Sequence, residues 1–251
     1  MQSYKLTLSY FGENYVGWQA QPNGLAVQEV LERAWAKVTQ ERVRITASGR
    51  TDSGVHALAQ VCSVQTETLL EPKILRRALN ANMPEDIEVL SIESAREGFH
   101  AIREAVKKTY RYQINWGQPR DVFQIGRSWY IPQQLNVEAM IEAARLLVGE
   151  HDFKSFSATN ASAKTSIRNV MELRVTPSEL GRFSNLTIEV TANGFLYNMV
   201  RTIVGTLVEV GYGYQSPNWV QWVLAKRDRQ HAGMTAPAWG LYLVDVQYEP
   251  H

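Results

Sequence analysis

The chain has little cysteine: Cys62 is the one thiol in 251 residues. That excludes an internal disulfide framework and any zinc site built from several thiolates, and a reducing, cytoplasmic setting is expected. An excess of charge of one sign is also lacking, since 26 Lys+Arg against 25 Asp+Glu leave a formal net charge of +1. A polyanion must therefore be met by local basic patches and not by the field of the whole chain. Long hydrophobic runs are missing too. The most apolar stretch, FLYNMVRTIVGTLVEV from Phe195, is broken by Asn198, Arg201, Thr202 and Glu209 and falls short of the ~20 residues that span a bilayer. It reads as a buried helix, with no membrane role. The opening MQSYKLTLSY alternates polar and apolar residues, without the apolar core of a secretory signal, and reads as a strand. The glycosylation-like triplets at Asn160 and Asn185 matter only in a secreted protein and are read as chance.

Several catalytic patterns are missing as well. There is no Walker A sequence and no G-x-G-x-x-G, since GYGYQS near Gly211 lacks the last glycine and follows a helix instead of a strand. The nucleophile elbow G-x-S-x-G is absent, which argues against acyl transfer. The five histidines, His56, His100, His151, His231 and His251, are scattered and none shows metal-ligand spacing. No metal or cofactor is expected.

What remains is a regular alternation of element types. Tyr4 to Phe11 has the period of a half-buried strand, and Val27, Val30, Leu31, Ala34, Trp35 and Val38 place one apolar face on a helix from about Ala26 to Thr39. Strands RVRITAS and VHALAQVCSV flank a glycine loop; Pro72 opens a second helix and DIEVLSI follows as a strand. After the alternating strand KTYRYQINW, the order repeats. SWYI leads to a helix capped by Asn136 and ended by Gly149; then come a hairpin of TSIRNVMELRV and RFSNLTIEV, the helix from Phe195, a helix opening at Pro217, and the strand LYLVDVQY. The predicted fold class is α+β: two β-α-β-β-α-β halves, residues 1–116 and 117–251, with mostly antiparallel sheets and a central cleft.

Within this frame GRTDSGVHA, Gly49 to Ala57, sets Asp52 in a loop between glycines. His56 is close enough in sequence to form an acid/base couple with it, or simply to be a satisfied histidine at the base of a strand. Arg201, inside an apolar helix, asks for a carboxylate, because an unpaired buried charge is costly. Asp52 is a candidate partner, and two readings stand side by side: a structural ion pair, or an ionised and desolvated nucleophile. Tyr110 follows Lys107 and Lys108 and is either a core aromatic or a platform on which an unpaired base stacks. REAVKKTYRY and KRDRQH are basic clusters, either solvated faces or phosphate contacts.

GRTDSGVHA resembles the signature of the TruA family of tRNA pseudouridine synthases. FHAIREAVKKTYRY, GEHDFKSF, FLYNMVRTIVGTL and TAPAWGLYL resemble further blocks of it in the same order, over nearly the whole chain. Ser53 departs from the alanine more usual in the family. The resemblance implies a pseudouridine synthase fold, a homodimer, and isomerisation of uridine to pseudouridine at positions 38, 39 and 40 of the tRNA anticodon stem-loop, without metal or cofactor. It implies Asp52 as nucleophile, Tyr110 stacked on the uracil, Arg201 paired with the aspartate, Arg50 assisting extrusion of the nucleotide, and Leu243 as an apolar wall. One carboxylate suffices for such a reaction, serving as nucleophile and then leaving group. Attack at C1′ and attack on the uracil ring are both compatible with the pattern. A non-catalytic RNA-binding protein and an enzyme of small nucleosides using Asp52 with His56 are the alternatives; the first lacks an RNP1-like motif.

Overall fold

The computed structural model describes residues 1–159 and 164–249. The triplet at Asn160 and the terminal His251 lie outside them. The chain divides into two compact units, Met1–Val106 with Tyr242–His251, and Lys107–Leu241.

The first unit is built on β1 (Gln2–Tyr10), whose inward residues Tyr4, Leu6, Leu8 and Tyr10 are buried at alternate positions. It is the middle of an antiparallel set, with β3 (His56–Thr66) on one side and β4 (Ile87–Ala95) on the other, Leu6 lying opposite both Cys62 and Ile92. Helix α1 (Val27–Thr39) buries Val27, Leu31, Ala34 and Trp35, the stripe its spacing predicts. Helix α2 (Pro72–Asn80) has Pro72 in its first turn and buries Leu75 and Leu79.

The strand expected from RVRITAS shrinks to β2, Thr46–Ala47. The reason lies in the preceding helix: Ile45 N–H donates to Glu32 Oε1 at 2.9 Å and Ile45 C=O accepts from the buried Gln28 Nε2 at 3.0 Å. Side chains of α1 thus satisfy the backbone groups that a strand ladder would otherwise use. The last strand, β10 (Leu241–Tyr248), pairs in parallel with β3, Tyr242 beside His56 and Leu243 beside Ala57.

The second unit carries β5 (Ala105–Trp116) antiparallel to β9 (Phe183–Ala192), which pairs with β8 (Ile167–Leu180), itself edged by β7 (Gly149–Asp152). The short β6 (Trp129–Ile131) lies parallel to β5. Helix α3 (Val137–Arg145) is capped by Asn136, whose Oδ1 accepts from Ala139 N at 3.0 Å, as expected of an N-cap. Past its end the chain turns, and Gly149, at φ 110°, opens β7. Helix α4 (Met199–Gly211) buries all but Arg201 and Glu209. It starts four residues later than the apolar pattern predicts, because Asn198 sits in the left-handed region at φ 63°. Helix α5 (Trp219–Lys226) follows. The sheets are mostly antiparallel and the class is α+β. No helix among the described residues is long and apolar enough to cross a membrane.

Candidate active site

In the first unit Asp52 lies on the connection from β2 to β3, and the backbone around it is held from several sides. Ser48 N–H donates to Val61 C=O at 2.7 Å and Ser48 Oγ to Gln60 Oε1 at 2.8 Å. Gln60 Nε2 donates to Gly49 C=O at 2.9 Å and to Tyr10 OH at 3.4 Å, and Tyr10 OH shares a hydrogen bond of 2.8 Å with Thr51 Oγ1. Tyr10, Ser48, Thr51 and Gln60 are all buried. A buried polar network with its members satisfied fixes geometry, since each bond it would lose costs more there than in water. Burial pushes the Tyr10 phenol well above its ordinary range, so it acts as a neutral hydroxyl.

The far side of the loop is held equally closely. Thr51 C=O accepts from Trp18 N–H at 3.1 Å, and Val55 N–H donates to Asp52 C=O at 3.1 Å, closing the turn over Asp52 to Val55. Gly17 passes so close beneath that a Cβ there would lie 2.5 Å from Thr51 O and 3.0 Å from the Asp52 carbonyl carbon. Between these restraints Asp52 is half-buried, while Arg50 and Ser53 are exposed. A carboxylate whose backbone cannot retreat is preorganised, which is what a nucleophile on a loop needs.

His56 has a structural assignment in the same unit. Its Nδ1 accepts from Gly12 N–H at 2.9 Å, and its ring stacks on Phe11 at 4.4 Å and lies 4.7 Å from that of Tyr242. Accepting at Nδ1 leaves the proton of the neutral ring on Nε2. Leu243 is fully buried on β10, one register step beyond the pairing of Tyr242 with His56.

The second unit holds Tyr110 and Arg201. Tyr110, opposite Val190 in the β5–β9 ladder, is buried and meets the Phe195 ring edge-on at 5.0 Å. Lys108 is two residues earlier and therefore on the same face of β5. Burial lowers its ammonium from 10.5 to about 8. Arg201 Nε donates to Ala236 C=O at 2.7 Å and its NH1 to Asn198 Oδ1 at 3.0 Å, while Ala236 N–H donates to Arg201 C=O at 3.1 Å. Gly233 N–H adds a bond to Thr206 Oγ1 at 3.0 Å, so the segment 233–236 is strapped along α4. Nearby Tyr112 donates to Pro237 C=O at 2.8 Å; burial raises its phenol, with the Arg201 charge pulling it down by less.

The side chains that support these candidate residues carry little signal in the sequence. Tyr10, Gln28 and Gln60 carry no motif, and only the alternation of β1, which turns Tyr10 inward, hinted at one of them. The sequence groups Lys108 with its neighbours in a basic cluster, whereas its partial burial follows from sharing the Tyr110 face.

The family described as tRNA pseudouridine synthase matches residues 7–102 and 143–249. Both stretches together make up most of the chain, with the Asp52 loop in the first and Arg201 and Leu243 in the second, while Tyr110 falls between them. The chain is 45% identical over 248 residues to tRNA pseudouridine synthase A of Pelobacter propionicus, covering 99% of this chain and 100% of that protein. It is 44% identical to the protein of that name from Geobacter sulfurreducens, with the same coverage. Against the one from Bacillus subtilis the identity is 43% over 247 residues, 98% of each chain. The chain belongs to the tRNA pseudouridine synthase family.

Proposed function

We propose that this protein isomerises uridine to pseudouridine at positions 38, 39 and 40 in the anticodon stem-loop of tRNA, with Asp52 as the nucleophile. The observation that carries the reading is the loop 49–54. Thr51 is locked to Tyr10 and to Trp18, Asp52 is half-buried beside it, and the exposed Arg50 is free to reach a phosphate or a neighbouring base. A fixed carboxylate with a cation at its rim suits a reaction on one nucleotide of a polyanion.

The chemistry is an isomerisation, so nothing is consumed. A carboxylate oxygen of Asp52 bonds to the nucleoside, the N1–C1′ bond breaks, and the uracil turns while held. C5 then bonds to C1′ and the carboxylate is released; the proton leaving C5 is balanced by one gained at N1. Tyr110 stacks on the uracil, Arg201 supplies the positive charge that keeps the carboxylate ionised, Arg50 assists extrusion, and Leu243 forms an apolar wall. On the same resemblance the working form is a cytoplasmic homodimer.

The test is tritium release from tRNA labelled at uridine C5. Wild type is expected to release tritium, whereas Asp52→Asn, an isosteric change, keeps tRNA binding and loses release. Equal release by both proteins would remove Asp52 from the chemistry.

A further inference from the structure

The second unit contains a cleft of about 510 Å³ that takes no part in the chemistry just described. Four cationic side chains line it, Lys154, Lys164, Arg227 and Arg229, against two carboxylates, Asp152 and Asp228. Both carboxylates are committed locally. Asp152 accepts from Lys154 N–H at 3.1 Å and pairs with Arg227 at 2.8 Å, and Asp228 accepts from Gln230 N–H at 3.0 Å.

The cations are less fully compensated. Arg229 donates to two uncharged oxygens, Thr235 Oγ1 at 2.8 Å and Ala232 O at 3.4 Å. Desolvation lowers its pKa, so its charge sits where an anion is worth more than in open water. Lys154 and Lys164 line the cleft and are exposed. Arg227 closes α5 in the left-handed region at φ 52°, a conformation that glycine or asparagine adopts at less cost. Its guanidinium is already paired with Asp152.

No aromatic side chain appears in the described lining, and its cations match a phosphate with its sugar. We infer that this cleft seats a phosphodiester of the substrate RNA's backbone, with Lys154, Lys164 and Arg229 as its cationic contacts. The inference rests on the reading of the protein as acting on tRNA, and it assigns to part of KRDRQH a positioning role.

The test is equilibrium binding of an unmodified full-length tRNA transcript by the intact protein over a range of salt concentrations. Lys154→Gln/Lys164→Gln changes two exposed side chains and is expected to raise Kd roughly tenfold at low salt. The slope of log K against log salt should become shallower by about 0.7–0.9, the value of one phosphate contact. The charge-conserving pair Lys154→Arg/Lys164→Arg should restore both quantities. Lys37→Gln/Lys73→Gln, which removes the same charge from the exposed faces of α1 and α2, should leave Kd and slope near wild type. An unchanged Kd in the first pair, or an equal loss in the α1/α2 pair, overturns the inference. So does loss of inorganic phosphate binding without loss of tRNA binding, which would make the cleft a site for a small free anion. Because binding is read without turnover, a wild type that binds tRNA in this way but forms no pseudouridine would refute the functional reading and leave the cleft assignment standing.

Discussion

Replacing Gly17 by alanine tests whether the Asp52 loop is held by its surroundings or merely rests on them. At φ 104° an L-residue is strained, and the new methyl would stand 2.5 Å from Thr51 O, 3.0 Å from the Asp52 carbonyl carbon and 3.1 Å from Ser53 N. The torsion alone costs about 1–2 kcal/mol. Relieving the overlap requires the loop to retreat by about an ångström to reach ordinary van der Waals separation, against hydrogen bonds at Thr51 and Val55. Overpacking of this kind adds about 1–3 kcal/mol, so Gly17→Ala should lose about 3 kcal/mol, or roughly 6–12 °C in Tm for a chain of this size. For an Asp52 acting as proposed, a displacement on that scale costs about a hundredfold in turnover. Gly98→Ala separates the two contributions, since Gly98 also has positive φ, 76°, but nothing lies within 4 Å of its Cβ position. It should lose about 1 kcal/mol and keep its activity. Thermal melts and single-turnover tritium release on the two variants decide the matter. If Gly17→Ala matches Gly98→Ala in both, the loop is not clamped and its rigidity plays no part in the chemistry.

Tyr10→Phe keeps the ring but strips a partner from Thr51 Oγ1 and Gln60 Nε2. A loss of about 1–2 kcal/mol in urea denaturation is expected, with kcat falling more than KM rises. Arg201→Leu removes the donors to Ala236 C=O and Asn198 Oδ1; it should lower stability by about 2 kcal/mol in the same assay and lower the rate as well, and normal activity would show that the Asp52 carboxylate has no need of it. Stability should rise between about pH 8 and 10, because unfolded Lys108 still binds its proton there while the folded residue has released it. Above pH 10 stability should fall, as Tyr10, Tyr112 and Tyr248, all raised by burial, stay protonated only in the folded state. Lys108→Met should abolish the rise and leave the fall, a difference that denaturation midpoints across pH 7–11 will register.

Much of this protein was determined by local sequence. The period of two in Tyr4–Phe11 and KTYRYQINW and the apolar stripe of Val27 to Val38 each dictate an element, because alternation and helical spacing are properties of neighbouring residues. The Asn136 cap and Pro72 at a helix start are equally local, and the GRTDSGVHA block marked the candidate nucleophile. Other features were decided by residues far apart in the chain. β2 is cut to Thr46–Ala47 because Gln28 and Glu32, on a preceding helix, take the backbone of Ile45. β10 lies parallel to β3 across more than a hundred residues of intervening chain, a pairing that no short-range pattern encodes. The rigidity around Asp52 likewise depends on Tyr10, Gly17 and Gln60. Their types look ordinary in sequence, and they become specific only when folding removes water from the hydrogen bonds they make.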